Sequence, residues 1–228
     1  MRHLRPMVLA TLAVLSIAGC ERKKAQPAVP PPPVLAADVA ESGMLAAAEP
    51  FEALAEAAFT APLPGLDRLI ASVMATGEHV KPALPHDAQV ELKTRLDEIA
   101  AARHIDNRAG IARGAVEAYR LLVSNGPGAP IPTEVSLLDY AGLRYDTELR
   151  TKPVAWDDMA AAAAFGQDRW KTIEAHVTDK KVHDRMTGAL ADMAAAASLK
   201  DPVLAAIAVR RELNLVDLLE AFFSTPNG

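Results

Sequence analysis

Apolar residues recur at the spacing of an α-helix through most of this chain, and no other feature restricts its fold as strongly. The first such segment opens at Pro50 and places Phe51, Leu54 and Ala58 on one face, and the pattern returns in 66–77, 92–103, 111–122 and 138–149. Hydrophobic residues make up 50% of the chain but aromatic residues only 4%, which favours closely packed helices over a β-sandwich. The sequence therefore predicts an all-α bundle of about eight or nine helices.

A change in the apolar face predicts a helix break near Thr178 and Asp179. Trp170 and Ile173 share one face, but the next apolar residues lie about 900° further round a continuous helix, on its opposite side. His176, His183, Met186 and Met193 could otherwise line one helix face, a ligand set that suits copper. Because of the break, the sequence favours core positions for the methionines and helix margins for the histidines, and we predict no metal site.

Two segments of the chain correspond to one another. Asp106 corresponds to Asp201 before the last helix of each segment, and the helix before it has matching apolar residues: Leu92, Leu96 and Ile99 in the first segment, Met186, Leu190 and Met193 in the second. The predicted halves are 50–124 and 133–223, with a helix that begins at Thr133 joining them. An old duplication and shared helix-bundle patterning both explain this correspondence.

The N-terminal segment has the pattern of a cleaved export signal. Arg2 and Arg5 precede an apolar run over 7–18 that is too short to span a bilayer. The run ends in Ile17-Ala18-Gly19-Cys20, and Cys20 is the single cysteine of the chain. This segment resembles a bacterial lipobox. The resemblance implies removal of residues 1–19, a diacylglycerol on the Cys20 sulfur, and usually a further acyl chain at the new N-terminus.

The same resemblance implies where the domain lies. Several acyl chains give durable attachment to a membrane, so acylated Cys20 is the expected contact with membrane lipid, on the periplasmic side of the cell envelope. Glu21 follows the cysteine, which favours the outer over the inner membrane under the sorting rule of the lipoprotein family. Residues 20–35 are predicted to be a tether, since 26–33 is rich in proline and favours polyproline II. A single helical domain is expected over 36–228.

Charge and motifs exclude several functions. The net charge of −5 gives no basic surface for nucleic acid. The sequence contains no nucleophile elbow, zinc-protease motif, paired-cysteine metal site, phosphate loop or haem attachment motif. We therefore predict no catalytic residue and no cofactor.

Glu212 is the one polar residue that conflicts with its surroundings. On a helical wheel of 203–223 it lies at the centre of a broad apolar face formed by Leu204, Ala205, Ala208, Val209, Leu215, Val216, Leu219, Phe222 and Phe223. A buried carboxylate needs a cation or hydrogen-bond donors, so we expect an ion pair with Arg144, Arg150 or Arg169. Otherwise Glu212 marks a polar spot in a ligand cavity. Its counterpart in the first half, Glu117, is predicted to lie on a polar face.

Two functions are compatible with these observations. The first is an accessory or scaffold protein that binds an envelope protein partner through a helical face. The second is a carrier of an apolar, lipid-like small molecule held between the two halves. A deep apolar pocket would favour the carrier, and an exposed apolar patch would favour the protein partner.

Overall fold

A computed structural model describes residues 34–126 and 131–224, with side chains from residue 43 onward. These ranges contain eight α-helices and no strand, which confirms the predicted all-α bundle. The helices are α1 (Val34–Ala57), α2 (Leu63–Val80), α3 (His86–His104), α4 (Arg108–Asn125), α5 (Thr133–Leu149), α6 (Trp156–Ile173), α7 (Lys180–Leu199) and α8 (Pro202–Phe223). Short 3₁₀ turns follow α2 at Lys81–Ala83 and α6 at Glu174–His176.

The first helix is longer than predicted. It begins at Val34, so the last two residues of the predicted tether belong to α1, and Pro50 lies inside the helix rather than at its start. The turn before Pro50 includes Ala47 and Ala48, both buried against the core. Tertiary packing of this alanine-rich face therefore stabilises the helix on both sides of Pro50, although proline ordinarily ends a helix.

Each half of the described chain is a four-helix unit with the same order of contacts. In the first, α1 packs against α2 and α4, and α3 packs against α2 and α4; in the second, α5 packs against α6 and α8, and α7 packs against the same two. Helices α2, α3 and α4 begin 93 or 94 positions before α6, α7 and α8. The helix that begins at Thr133 is thus the first helix of the second unit, and it also packs against α4 of the first.

The turns between the last two helices of each unit have the same backbone. Asp106 and Lys200, 94 positions apart, both adopt a left-handed conformation, with φ of 51° and 53°. The residue after each caps the next helix: Asn107 accepts from the Gly110 N–H, and Asp201 accepts from the Val203 and Leu204 N–H groups. Asp106 therefore corresponds to Lys200, one position away from the predicted pairing with Asp201.

The break predicted near Thr178 is confirmed. Helix α6 ends at Ile173, and Asp179 caps α7 by accepting from the backbone N–H groups of Lys181 and Val182 at 2.8 and 3.2 Å. Met186 and Met193 are fully buried, as the pattern predicted.

Helix α5 contributes to both hydrophobic cores. Leu137, Tyr140 and Leu143 pack with the core of the first unit, whereas Leu138 and Tyr145 pack with that of the second. A helix covered from both sides has little surface left for solvated residues. Polar side chains on α5 are therefore buried as well, and one of them, Asp139, belongs to the candidate site.

Candidate functional site

Glu212 lies in the core of the second unit, as expected from its helical wheel. It has no exposed surface, and its neighbours on the same face of α8, Ala208, Val209, Leu215 and Val216, are buried too. Neither of its carboxylate oxygens has a hydrogen-bond partner among the described residues. Leaving a buried polar group unpaired costs about 1–3 kcal/mol even when it is uncharged.

The predicted ion pair of Glu212 is wrong. Arg144 donates to the Tyr140 hydroxyl and lies 3.7 Å from Asp158, while Arg150 pairs with Asp146 at 2.8 Å. The third candidate, Arg169, lies over the ring of Phe165. The helical wheel placed Glu212 correctly on the core face of α8, but the arginines point elsewhere.

Gly142 on α5 leaves the space that the carboxylate of Glu212 occupies. A Cβ atom at Gly142 would overlap Oε2 of Glu212 and the side chain of Leu213. The two helices therefore approach closely at this point because one of them carries no side chain there.

The first unit shows what this helix pair looks like without the acid. With the shift of 94 positions, Ala118 on α4 corresponds to Glu212 and Ala48 on α1 corresponds to Gly142. Both alanines are buried. The predicted counterpart, Glu117, is one position off; it lies half-buried and accepts from Arg120 and from the Tyr140 hydroxyl. The architecture therefore does not require an acid at position 212.

Burial favours the protonated form of Glu212. Loss of solvent raises its pKa well above the usual range, and the nearby carboxyl group of Asp139 raises it further. A neutral carboxyl group can both donate and accept a hydrogen bond, and Glu212 does neither with any described residue.

Asp139 lies one turn before Gly142 on α5 and is also buried, with 8% of its surface exposed. Burial raises its pKa well above the usual range, Glu52 raises it further, and a hydrogen bond with Tyr119 acts in the opposite direction. The pKa of the Tyr119 hydroxyl is raised by burial and by Asp139. Asp139 thus connects buried Glu212 to residues of α1 and α4.

A cleft of about 420 Å³ opens in front of Asp139, between α1, α5 and α8. We call it the acidic cleft, because it is lined by the carboxyl groups of Glu52, Glu56, Asp139, Asp146 and Asp217. Leu143, Val209 and Leu213 form apolar parts of its wall, and Arg150 and Arg210 also border it. Arg150 is already paired with Asp146. Four carboxyl groups without a salt bridge therefore face one unpaired guanidinium group, that of Arg210, within the described part of the chain.

The crowding of acids changes their titration. Burial raises the pKa of Glu52 to about 7, and Glu56, Glu220, Asp217 and Glu49 add to the effect. The pKa of Glu220 is raised by burial and by Asp217. Like charges without cations repel one another, so Glu52 and Glu220 bind protons more tightly than an ordinary surface glutamate does.

The opposite side of α5 provides a contrast. A groove of about 600 Å³ there is also rich in charge, but its acids have partners. Glu148 is buried and accepts two hydrogen bonds from Arg113, at 2.7 and 2.5 Å. Glu98 pairs with Arg95, and Asp158 lies near Arg144. The acidic cleft, unlike this groove, has carboxyl groups without a salt bridge, which makes it the candidate site.

The comparisons with known proteins add no assignment. No family model, curated protein or solved structure matches this chain. Across residues 34–126 and 131–224, no group of three or more His, Cys, Asp or Glu side chains is arranged to hold a metal ion. In the same ranges no helix has the length and apolarity needed to cross a bilayer. Cys20 and the predicted signal peptide lie outside the described residues.

Sequence reasoning identified Glu212 but missed Asp139 and Glu52. The sequence pattern gave little indication of either residue, because the spacing of apolar residues places both on helix faces predicted to be exposed to solvent. Asp139 lies between Leu138 and Tyr140, and the same segment contains a second small polar residue, Ser136. Both Ser136 and Asp139 are buried because α5 is covered by both units.

Proposed function

We propose that this chain is a lipid-anchored accessory protein of the bacterial envelope, whose helical domain faces the periplasm and docks an envelope protein partner. Anchoring is supported by the lipobox-like Ile17-Ala18-Gly19-Cys20. Glu21 favours the outer membrane. The docking role is carried by an exposed apolar surface at the turn between α7 and α8, which we call the α7–α8 patch.

The α7–α8 patch consists of Leu199, Val203, Leu204 and Ile207, which are 69, 66, 47 and 52% exposed. Val203 and Ile207 lie one helical turn apart, so they share a face of α8. Leu204 was predicted to belong to the core face, and its exposure corrects that placement. Large apolar side chains grouped on a surface are typical of contact sites.

Folding does not explain the α7–α8 patch. In the first unit, the corresponding positions of α4 carry Ala109, Gly110 and Arg113 where the second unit has Val203, Leu204 and Ile207. Arg113 even forms an ion pair with Glu148. At these three positions the first unit has no large apolar side chain, although Ile105, which corresponds to Leu199, is exposed there as well. The turn therefore does not require Val203, Leu204 and Ile207, which are available for binding.

The surroundings of the α7–α8 patch indicate the chemistry of the partner. A shallow groove beside Ile207 is bordered by Arg185, Arg210 and Arg211, of which Arg211 pairs with Asp192. An apolar protein surface with an acidic rim would complement this arrangement.

The carrier of an apolar molecule has no comparable support. The clefts on either side of α5, and two smaller clefts in the described ranges, are bordered by charged side chains. A site for a lipid-like molecule would be lined mainly by apolar residues.

Two experiments test the proposal. The first replaces Cys20 by Ser in the full-length protein: the variant should lose the mass of the lipid and no longer fractionate with membranes. The second places a photo-crosslinking amino acid at Ile207 or, as a control, at exposed Asp168. A discrete crosslinked protein is expected from position 207 alone and should disappear with Val203→Asp. Products shared by both positions, or crosslinks to lipid only, would reject the protein partner.

A further inference from the structure

Helix α8 has one face that is exposed from its first turn to its last. The opposite, core face packs against α5 and α7. The exposed residues recur every three or four positions, which places them in one line along the helix. We call this line the α8 stripe; it consists of Val203, Ile207, Arg210, Asn214, Asp217, Leu218 and Ala221. Its three large apolar residues, Val203, Ile207 and Leu218, are 66, 52 and 45% exposed, as is typical of a surface that contacts another protein.

The two charged residues of the α8 stripe, Arg210 and Asp217, form no ion pair with any described residue. Several exposed charges elsewhere pair with a residue four positions away on the same helix, as Lys93 and Asp97 do. The positions three and four away from Arg210 and from Asp217 hold no residue of opposite charge. The two residues themselves are separated by about 10 Å along the helix axis, which is too far for an ion pair.

The charges of the α8 stripe become complementary when a second α8 runs in the opposite direction. Arg210 lies four positions before Asn214, and Asp217 lies three positions after it. If the two copies meet with Asn214 opposite Asn214, Arg210 of each copy lies beside Asp217 of the other. Both charges lie on the same side of Asn214, about 40° and 60° around the helix, and a two-fold axis at this point keeps those sides together. The ion pair therefore forms twice.

The apolar residues also meet in this arrangement. Ile207, seven positions before Asn214, comes to lie between Leu218 and Ala221 of the second copy. Glu52, which borders the same cleft as Asp217, adds negative charge beside this surface. The second half of α8 thus provides the apolar surface with an acidic rim that complements the α7–α8 patch.

We propose that the partner of the α7–α8 patch is a second copy of this chain, which binds through the α8 stripe in an antiparallel, two-fold dimer. This inference rests on the proposed function, because Val203 and Ile207 belong to both the patch and the stripe. Each copy uses the same surface, so the contact is complete with two chains and does not extend into a filament.

Asn214→Cys tests the symmetry, because a residue on a two-fold axis meets itself. Facing residues of two packed helices are close enough for a disulfide. Mild oxidation of the full-length variant in detergent should therefore produce a disulfide-linked dimer. Asp168→Cys, exposed on α6, is the matched control and should stay monomeric, and the unmodified chain measures any disulfide formed through Cys20. A monomeric Asn214→Cys protein, or equal dimer from position 168, would overturn the proposal.

Charge reversal tests the pairing of Arg210 with Asp217. Arg210→Glu and Asp217→Arg should each weaken dimerisation by about tenfold or more, because each places like charges together at two points of the contact. The double variant should recover the affinity of the unmodified protein. Sedimentation equilibrium in detergent measures all three, and both positions are exposed, so the fold is preserved. Arg68→Glu, an exposed reversal on α2, should have no effect; equal weakening by it, or no recovery in the double variant, would refute the pairing.

The photo-crosslinking amino acid at Ile207 separates this inference from the proposed function. The variant is expressed together with a second copy of the chain that carries a different tag. A crosslinked product that contains both tags is expected. A product with a different protein would overturn the dimer and leave the proposed function standing, whereas the absence of any protein product would reject both.

Discussion

The carboxyl group of Glu212 on α8 packs against Gly142 on α5, in the space that a side chain at position 142 would occupy. In the first unit, Ala48 and Ala118 hold the corresponding positions. The second unit thus has a glycine and a glutamate at two positions where the first unit has two alanines. The consequences for stability can be measured by exchanging one arrangement for the other.

Gly142→Ala should destabilise the protein by about 1–3 kcal/mol, because the new methyl group overlaps Glu212 and Leu213. Chemical denaturation measures this loss. The same substitution in a Glu212→Ala background should cost less, since one of the two overlapping groups has gone. Equal costs in both backgrounds would show that Glu212 does not occupy the space beside Gly142.

The double variant Gly142→Ala/Glu212→Ala should be more stable than the single variant Gly142→Ala by about 1–3 kcal/mol. It removes a buried carboxyl group without partners, although the new methyl group still overlaps Leu213. The matched control is Ala118→Glu, which introduces an acid at the corresponding position of the first unit and should destabilise strongly. A double variant less stable than Gly142→Ala would mean that Glu212 has a stabilising partner.

Glu148→Gln should lower stability by about 1–3 kcal/mol, because the buried carboxylate accepts two hydrogen bonds from Arg113. The exposed pair of Lys93 and Asp97 is the control. Asp97→Asn should change stability by less than about 0.5 kcal/mol. Thermal melts of both variants at one pH check the comparison, and equal effects would contradict the buried geometry of Glu148.

Lys200→Gly should raise stability by about 0.5–1 kcal/mol, since Lys200 adopts a φ of 53° at the turn after α7 and glycine reaches this conformation without steric cost. Lys171→Gly inside α6 is the control and should lower stability by about 1 kcal/mol. Denaturant midpoints measure both changes. A loss at position 200 would show that the lysine side chain contributes more than its backbone strain costs.

The sequence predicted the helices well and the candidate site only in part. Helical periodicity reports which face of a helix is apolar, and it placed Glu212 correctly at the centre of the core face of α8. It cannot report which residue of another helix lies opposite, so Gly142 was not identified as its neighbour. An arginine was expected instead, on the general rule that buried acids are paired.

Helix α5 explains why the other site residues were missed. Its apolar period marked a single stripe, which is the pattern of a helix with one solvated side. In the structure the second stripe of α5 faces the first unit, and Asp139 is enclosed between the two. This enclosure depends on how the four-helix units pack together, which no local pattern in the sequence encodes.

Glu52 should make the stability of the protein depend on pH between about 4.5 and 7. Its pKa is raised from 4.5 to about 7, mainly by burial and then by Glu56. The folded chain therefore binds this proton more tightly than the unfolded chain does. The resulting stabilisation is fully present below pH 4.5 and is lost as the pH rises through about 7.

Glu52→Gln removes this titration, so the difference in unfolding free energy between the variant and the unmodified protein should grow as the pH rises from 4.5 to 7. We expect a change on the order of 1 kcal/mol, since solvent screens a group that is only partly buried. Both proteins keep the other charged groups near Glu52, namely Asp139, Glu220, Arg150 and Arg210. The contributions of these groups to the pH dependence of stability therefore largely cancel in the difference. Urea denaturation across this range measures the difference, and Glu78→Gln, an exposed substitution, should give a constant one. A constant difference for Glu52→Gln as well would show that Glu52 titrates like an ordinary surface glutamate.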